Sequence, residues 1–194
     1  YATKMVPNNQ PDADSRFRTL VEAVKFVYAS TFFRAARTYA AAANTGDQTE
    51  KMAVVIQEVV GARRGTRFYP EVSGVARSFN FFPIGDDAPE DGVVNLALGL
   101  GKTIVDGGVS WVYSPARPPA PAPFGSVRDL LKSSQLRFWA VHMGDPPAYD
   151  PINETEYLVE AELAMAEHDG VLAGIASTYD PRRDRVVPGT GADG

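Results

Sequence analysis

The residues best placed to do chemistry lie between Asp91 and Gly108, in the run DGVVNLALGLGKTIVDGG. Val93, Val94, Leu96, Ala97 and Leu98 form an apolar run that drops into Gly99 and Gly101, followed by Lys102, Thr103, Ile104, Val105 and Asp106-Gly107-Gly108. A buried strand feeding a ligand loop has this pattern. Glycines let a backbone approach a phosphate closely, and a neighbouring lysine adds positive charge. Gly101-Lys102-Thr103 fits the end of the phosphate-cradling pattern Gly-x-x-x-x-Gly-Lys-Thr, but position 96, where its first glycine belongs, is Leu96. Spacing alone leaves open a P-loop phosphotransferase and a tight strand-to-helix corner with a surface lysine.

The elements around this run must position it. Residues 1–12 carry Pro7 and Pro11 and read as an entry loop; Asp12 or Asp14 can cap a helix. Phe17, Leu20, Val21, Val24, Val27 and Tyr28 recur at helical spacing, and Ser30–Ala43 reads as a second helix ended by Asn44–Asp47. Met52–Ile56 is a continuous apolar run, expected as a strand buried on both faces and resumed at Val59-Val60. Gly61–Gly65 reads as a loop, Ser73–Phe82 as a half-buried strand, Asp86–Asp91 as an acidic turn and Val109–Tyr113 as a strand. Pro115, Pro118, Pro119, Pro121 and Pro123 suit a stiff spacer. Beyond it, Val127–Lys132 reads as a short helix, Leu136–Met143 as a strand, Glu154–Glu167 as helix or hairpin arm, Val171–Tyr179 as a strand and Asp180–Asp184 as a turn before Arg185-Val186-Val187. The expected architecture is α+β: a lobe over residues 1–114 with a helical pair and a mixed or mostly antiparallel sheet, a linker over 115–125, and a smaller β-rich continuation over 126–194.

Composition narrows the function classes. The 194 residues are 44% hydrophobic, enough for a sizeable core. The net charge is -5 and no basic stripe appears, which argues against a nucleic-acid partner. With no cysteine there are no disulfides, thiolate metal sites or cysteine nucleophiles. No apolar run approaches the ~20 residues that cross a bilayer, and no signal peptide is visible, so a cytoplasmic location is expected. The first residue is Tyr1, and the chain reads as part of something longer. Arg63, Arg64 and Arg67 could clamp an anion or decorate a loop. Glu154, Glu156, Glu160, Glu162 and Glu167 read as a solvated face.

In order along the chain, four blocks resemble the PEP/pyruvate-binding, ATP-grasp domain of the phosphoenolpyruvate synthase and pyruvate phosphate dikinase family. They are Ala29-Ser30 with Phe32, Ala36 and Tyr39; Met52–Val60 (MAVVIQEVV); Ser73–Ala76 with Ser78 and Asn80; and Gly99-Leu100-Gly101 with Val105 and Gly107. The resemblance implies the larger lobe of an ATP-grasp domain that holds Mg-ATP and passes a phosphoryl group to a histidine on a separate domain, toward phosphoenolpyruvate formation from pyruvate. It implies that Gln57, Glu58 and Val60 meet adenine, that Gly99, Gly101 and Lys102 meet phosphate, and that Asn95 and Asp106 stand near the Mg²⁺ ligands. It implies no catalytic residue within this stretch, and partners in a small lobe and a phosphohistidine domain lying elsewhere in the parent chain. This sequence departs from the pattern at Lys102, where the family usually has glutamate, at Ala35 (arginine) and at Arg77 (phenylalanine). The Thr-Ser-His motif of the phosphohistidine domain does not occur, and neither His142 nor His168 has matching surroundings. Besides an ATP-dependent phosphotransferase part, inactive alone, two other readings remain: a degenerate nucleotide- or protein-binding regulatory domain, and the P-loop phosphotransferase.

Overall fold

The chain folds as α+β, with antiparallel strand pairs and five α-helices among the described residues. The computed structural model describes residues 2–43, 51–118, 124–144 and 156–190. Two compact units divide it: residues 1–68 with 141–159, and residues 69–140 with 160–194.

In the first unit, Asp12 opens α1 (Ala13–Ala29) as expected. Its carboxylate accepts from Ser15 Oγ at 2.7 Å and Ser15 N at 2.8 Å, which satisfies a backbone N–H that the first helical turn leaves free. Those bonds, the hydroxyl's first, hold the Asp12 carboxyl below its ordinary value. α1 runs into a single 3-10 turn, Ser30–Phe32, and the chain turns extended at Phe33 before α2 (Arg34–Ala42). The second helix is therefore shorter than the expected Ser30–Ala43. The buried Ser30 hydroxyl secures the break, donating to Val27 O at 2.7 Å and accepting from Ala2 N at 3.1 Å. Phe26 and Phe33 meet edge-on across it, centroids 5.6 Å apart. The expected stop at Asn44–Asp47 lies outside the described residues.

Three expectations need correction in this unit. Residues 51–61 form no strand, and Val55, Ile56 and Val60 are exposed, so Met52–Ile56 is not buried on both faces. Apolar β-branched residues favour extended backbone, but a strand also needs a ladder partner, and none of the described residues supplies one. Gly61–Gly65 is not simply a loop: β1 (Ala62–Arg64) and β2 (Arg67–Tyr69) flank a turn at Gly65, whose φ is +59°. The start of β2 runs antiparallel to the end of β6 (Arg137–His142), with Arg67 opposite His142 and Phe68 opposite Val141. Glu156, read as solvated, pairs with Lys4 beneath the surface, the two side chains 5% and 8% exposed.

In the second unit, β3 (Val72–Arg77), β4 (Val93–Leu98) and β5 (Trp111–Tyr113) form an antiparallel sheet with β4 central. Gly74 lies opposite Leu96, where an added Cβ would stand 2.8 Å from Leu96 Cδ2. β3 stops at Arg77 rather than continuing to Phe82. The buried Asn80 takes over there: its N–H donates to Pro89 O at 2.8 Å and its side-chain oxygen accepts from Phe82 N at 3.0 Å, a local turn that competes with the ladder. A helical turn, α3 (Lys102–Val105), follows β4. α4 (Val127–Lys132) forms over the expected residues, and Ser126 caps it, its hydroxyl accepting from Asp129 N at 3.2 Å. Glu154–Glu167 resolves, where described, into β7 (Leu158–Glu162) and α5 (Leu163–His168). The expected strand Val171–Tyr179 is shortened to β8 (Ser177–Asp180), paired with β9 (Arg185–Pro188). Its first half instead closes a 3-10 turn, with Ile175 N and Ala176 N both donating to Leu172 O. The core gathers Tyr69 and Phe138, both fully buried with centroids 4.7 Å apart, and Ala97, Leu98, Leu100 and Ala166.

Candidate functional site

The central strand β4 delivers the glycine run to a corner that is fixed from several sides. Leu98 is bonded at both backbone groups by one side chain: its N–H donates to Gln135 Oε1 at 2.9 Å, and Gln135 Nε2 donates to its carbonyl at 3.0 Å. Gly99 follows at φ +78°, where a Cβ would stand 2.7 Å from Trp139 O and 2.9 Å from Phe138 Cδ2. Only glycine combines that left-handed backbone with so close an approach. Ser73 Oγ donates to Gly99 O at 2.6 Å, and Leu100 N donates to Trp139 O at 2.9 Å. Gly101 is under no such pressure, since a Cβ there would make ordinary contact with Ser73.

Lys102 leaves this corner toward Asp106, Nζ to Oδ2 2.7 Å, and its ammonium lies 5.4 Å from the Trp139 ring centroid. Asp106 N donates to Lys102 O at 2.9 Å, so one helical turn sets the two side chains side by side. Asn95, on β4, accepts from Ser110 Oγ at 3.3 Å through its side-chain oxygen. Of the residues the sequence singled out, Gly99, Gly101, Lys102 and Asp106 share this corner, and Asn95 lies within the strand that leads to it. Gln57, Glu58 and Val60 lie in the first unit, exposed within the stretch 51–61 that carries no helix or strand.

This donor set does not fit Mg²⁺ as arranged. Magnesium asks for several hard oxygens in near-octahedral array. The Asp106 carboxylate is occupied by an ammonium, the Asn95 oxygen by a hydroxyl, and no grouping of three or more His, Cys, Asp or Glu side chains occurs among the described residues. A divalent ion at Asp106 would also face the Lys102 charge at close range; two unit charges 4 Å apart repel by about 4 kcal/mol in a partly screened site, and a divalent ion doubles that.

The P-loop reading fails on geometry. Leu96 sits inside β4, paired with Gly74 on one side and Trp111 on the other. The backbone is a ladder strand where that motif needs a loop.

The sequence reading missed the residues that fix the corner. Gln135 carried no local signal, because its partner is 37 positions away. Trp139 and Phe138 read only as strand residues. Ser73 was already visible at the head of the Ser73–Ala76 block, and its bond to Gly99 O gives that serine a physical role. His142 ends β6, and His168 is exposed beside Asp169, 3.6 Å from Nδ1 to Oδ1.

Comparison with known proteins adds one match. The family model described as "Pyruvate phosphate dikinase, AMP/ATP-binding domain" matches residues 14–114, just over half of the chain, a span that contains Gly99, Gly101, Lys102 and Asp106 but not Gln135, Phe138 or Trp139. No curated protein and no solved structure matches the chain.

Proposed function

The chain belongs to the family of the AMP/ATP-binding domain of pyruvate phosphate dikinase, and from that premise we propose that it is the nucleotide-binding part of a phosphotransferase that makes phosphoenolpyruvate from pyruvate. The observation that carries the reading is the fixed corner at Gly99 inside the matched span. Preorganised backbone is what phosphate binding requires, because no ordering cost is then incurred at the moment of binding. In this reading Gly99 and Gly101 let the chain come close to phosphate, and Lys102 supplies charge. The candidates for the adenine edge are Gln57, Glu58 and Val60, a kind of recognition that depends little on side-chain identity. The phosphoryl acceptor is a histidine on another domain, since neither His142 nor His168 stands in surroundings suited to a phosphate carrier. Taken alone, this part is inactive.

A second reading is favoured by the Lys102–Asp106 ion pair: a nucleotide-binding domain that has lost phosphotransfer and serves regulation. One experiment separates the two. The intact natural protein is incubated with Mg-ATP and pyruvate and the nucleotide product identified. AMP, phosphate and phosphoenolpyruvate together support the first reading. ATP bound without turnover supports the second. ADP alone, or no binding and no turnover, overturns both.

A further inference from the structure

We propose that Lys102 is a built-in counter-cation that occupies Asp106 and keeps divalent metal off the glycine corner, so that an incoming phosphate is met there by an ammonium rather than by a bound metal ion. The metal half of the inference stands on the corner's geometry; the phosphate half rests on the nucleotide-binding reading above.

The two side chains are unequal partners. Lys102 is 21% exposed and lies against the Trp139 ring, whereas Asp106 is 52% exposed. The ammonium is thus fixed from the protein side by an aromatic face that favours cations, and the carboxylate comes to it from the rim. Helix stability does not account for the pair. α3 has four residues, and lysine preceding the acid by four positions is the weaker order on a helix. The chain turns at once after Asp106, through Gly107 at φ +75° and a bond from Gly108 N to Thr103 O at 2.8 Å, which keeps the carboxylate beside Lys102. The other residue named for a metal, Asn95, is engaged by Ser110. An ion approaching Asp106 meets a carboxylate whose charge is already compensated.

The test uses Mn²⁺ as the probe on the intact protein, with free ion read by electron paramagnetic resonance and bound ion by quenching of tryptophan fluorescence. Asp106→Asn is expected to leave the wild-type isotherm unchanged. Lys102→Glu is expected to create a site at least about tenfold tighter than any in the wild type, because the charge facing the ion changes from repelling to attracting, and the double variant Lys102→Glu/Asp106→Asn to lose it. Lys102→Gln, which removes the charge with less disturbance, is expected to move the same way by less. A wild-type site that Asp106→Asn weakens, or no gain in either Lys102 variant, overturns the proposal. In a parallel titration, adenylyl imidodiphosphate is expected to bind the wild type within a factor of about three in EDTA and in Mg²⁺. Binding only in Mg²⁺, lost with Asp106→Asn, overturns the proposal and leaves the nucleotide-binding reading standing. Binding in neither condition overturns that reading, while the Mn²⁺ isotherms still decide whether Lys102 excludes metal.

Discussion

Gln135 lies along Leu98 as a side chain standing in for a strand, with its oxygen accepting from Leu98 N and its nitrogen donating to Leu98 O and, at 2.8 Å, to Arg137 O. One amide thereby satisfies both backbone groups of the buried residue that precedes the glycine corner. Gln135→Ala is expected to leave those groups without partners and to cost about 1–3 kcal/mol, read as a lower urea midpoint at unchanged slope. Gln135→Glu does not rescue it, because a carboxylate oxygen then faces two carbonyls. An unchanged midpoint in Gln135→Ala would show that the amide is incidental.

Gly99 and Gly107 share a left-handed backbone and differ in what surrounds them. A Cβ at Gly99 runs into Trp139 O and Phe138; at Gly107 it meets open space. Gly107→Ala is expected to lose only the cost of the left-handed backbone, about 1–2 kcal/mol. Gly99→Ala adds an overpacking cost of about 1–3 kcal/mol and shifts Trp139, so its tryptophan emission changes while that of Gly107→Ala does not. Equal losses in the two variants would mean that β6 yields freely, and the corner would not be rigid.

The sequence revealed most where the determinant is local. Asp12 announced its helix because a cap acts within three residues. Gly99 announced a corner because a positive φ is a property of one residue. The family blocks were legible because residue types recur at fixed spacing, and the family match covers the same span. Legibility ended where partners are distant. Met52–Ile56 has strand composition, but composition cannot supply the neighbour that completes a ladder. Asn80 cut β3 short by offering local bonds that periodicity does not register. Glu156 read as one of a solvated run because its partner, Lys4, lies 152 positions away. Lys102 was conspicuous as a departure from the family pattern, yet its engagement with Asp106 and Trp139 appeared only in three dimensions.

The cap at Asp12 has a pH signature. Ser15 lowers the Asp12 carboxyl in the folded chain, so the cap's contribution is fully present above the ordinary carboxylate value. It is lost as the pH falls through the lowered folded value. Carboxyl NMR is expected to show Asp12 titrating below the ordinary aspartate value. Asp12→Asn keeps a good cap acceptor but removes the charge, so helicity of α1 becomes independent of pH in that window. A persistent acid transition in Asp12→Asn would assign it to another group.

Lys4 and Glu156 are paired under cover, with the ammonium 5.1 Å from the Phe26 ring centroid and 5.8 Å from that of Tyr157. Lys4→Met leaves a carboxylate in that enclosure with no cation, and the expected loss is about 3–5 kcal/mol. The double variant Lys4→Met/Glu156→Leu removes both desolvated charges and is expected to recover most of it, because what the single variant suffers is an uncompensated charge. The phenol of Tyr157 reports on the same spot. It is raised above its ordinary value first by burial and second by the Glu156 charge. Glu156→Gln should therefore lower it only part of the way, as followed by the ultraviolet absorbance of the phenolate. If Lys4→Met and the double variant are equally destabilised in urea, the loss lies in the packing of the lysine stem on Phe26 rather than in the charge. An unmoved Tyr157 in Glu156→Gln would then agree, since it would place the carboxylate too far away to act on the phenol.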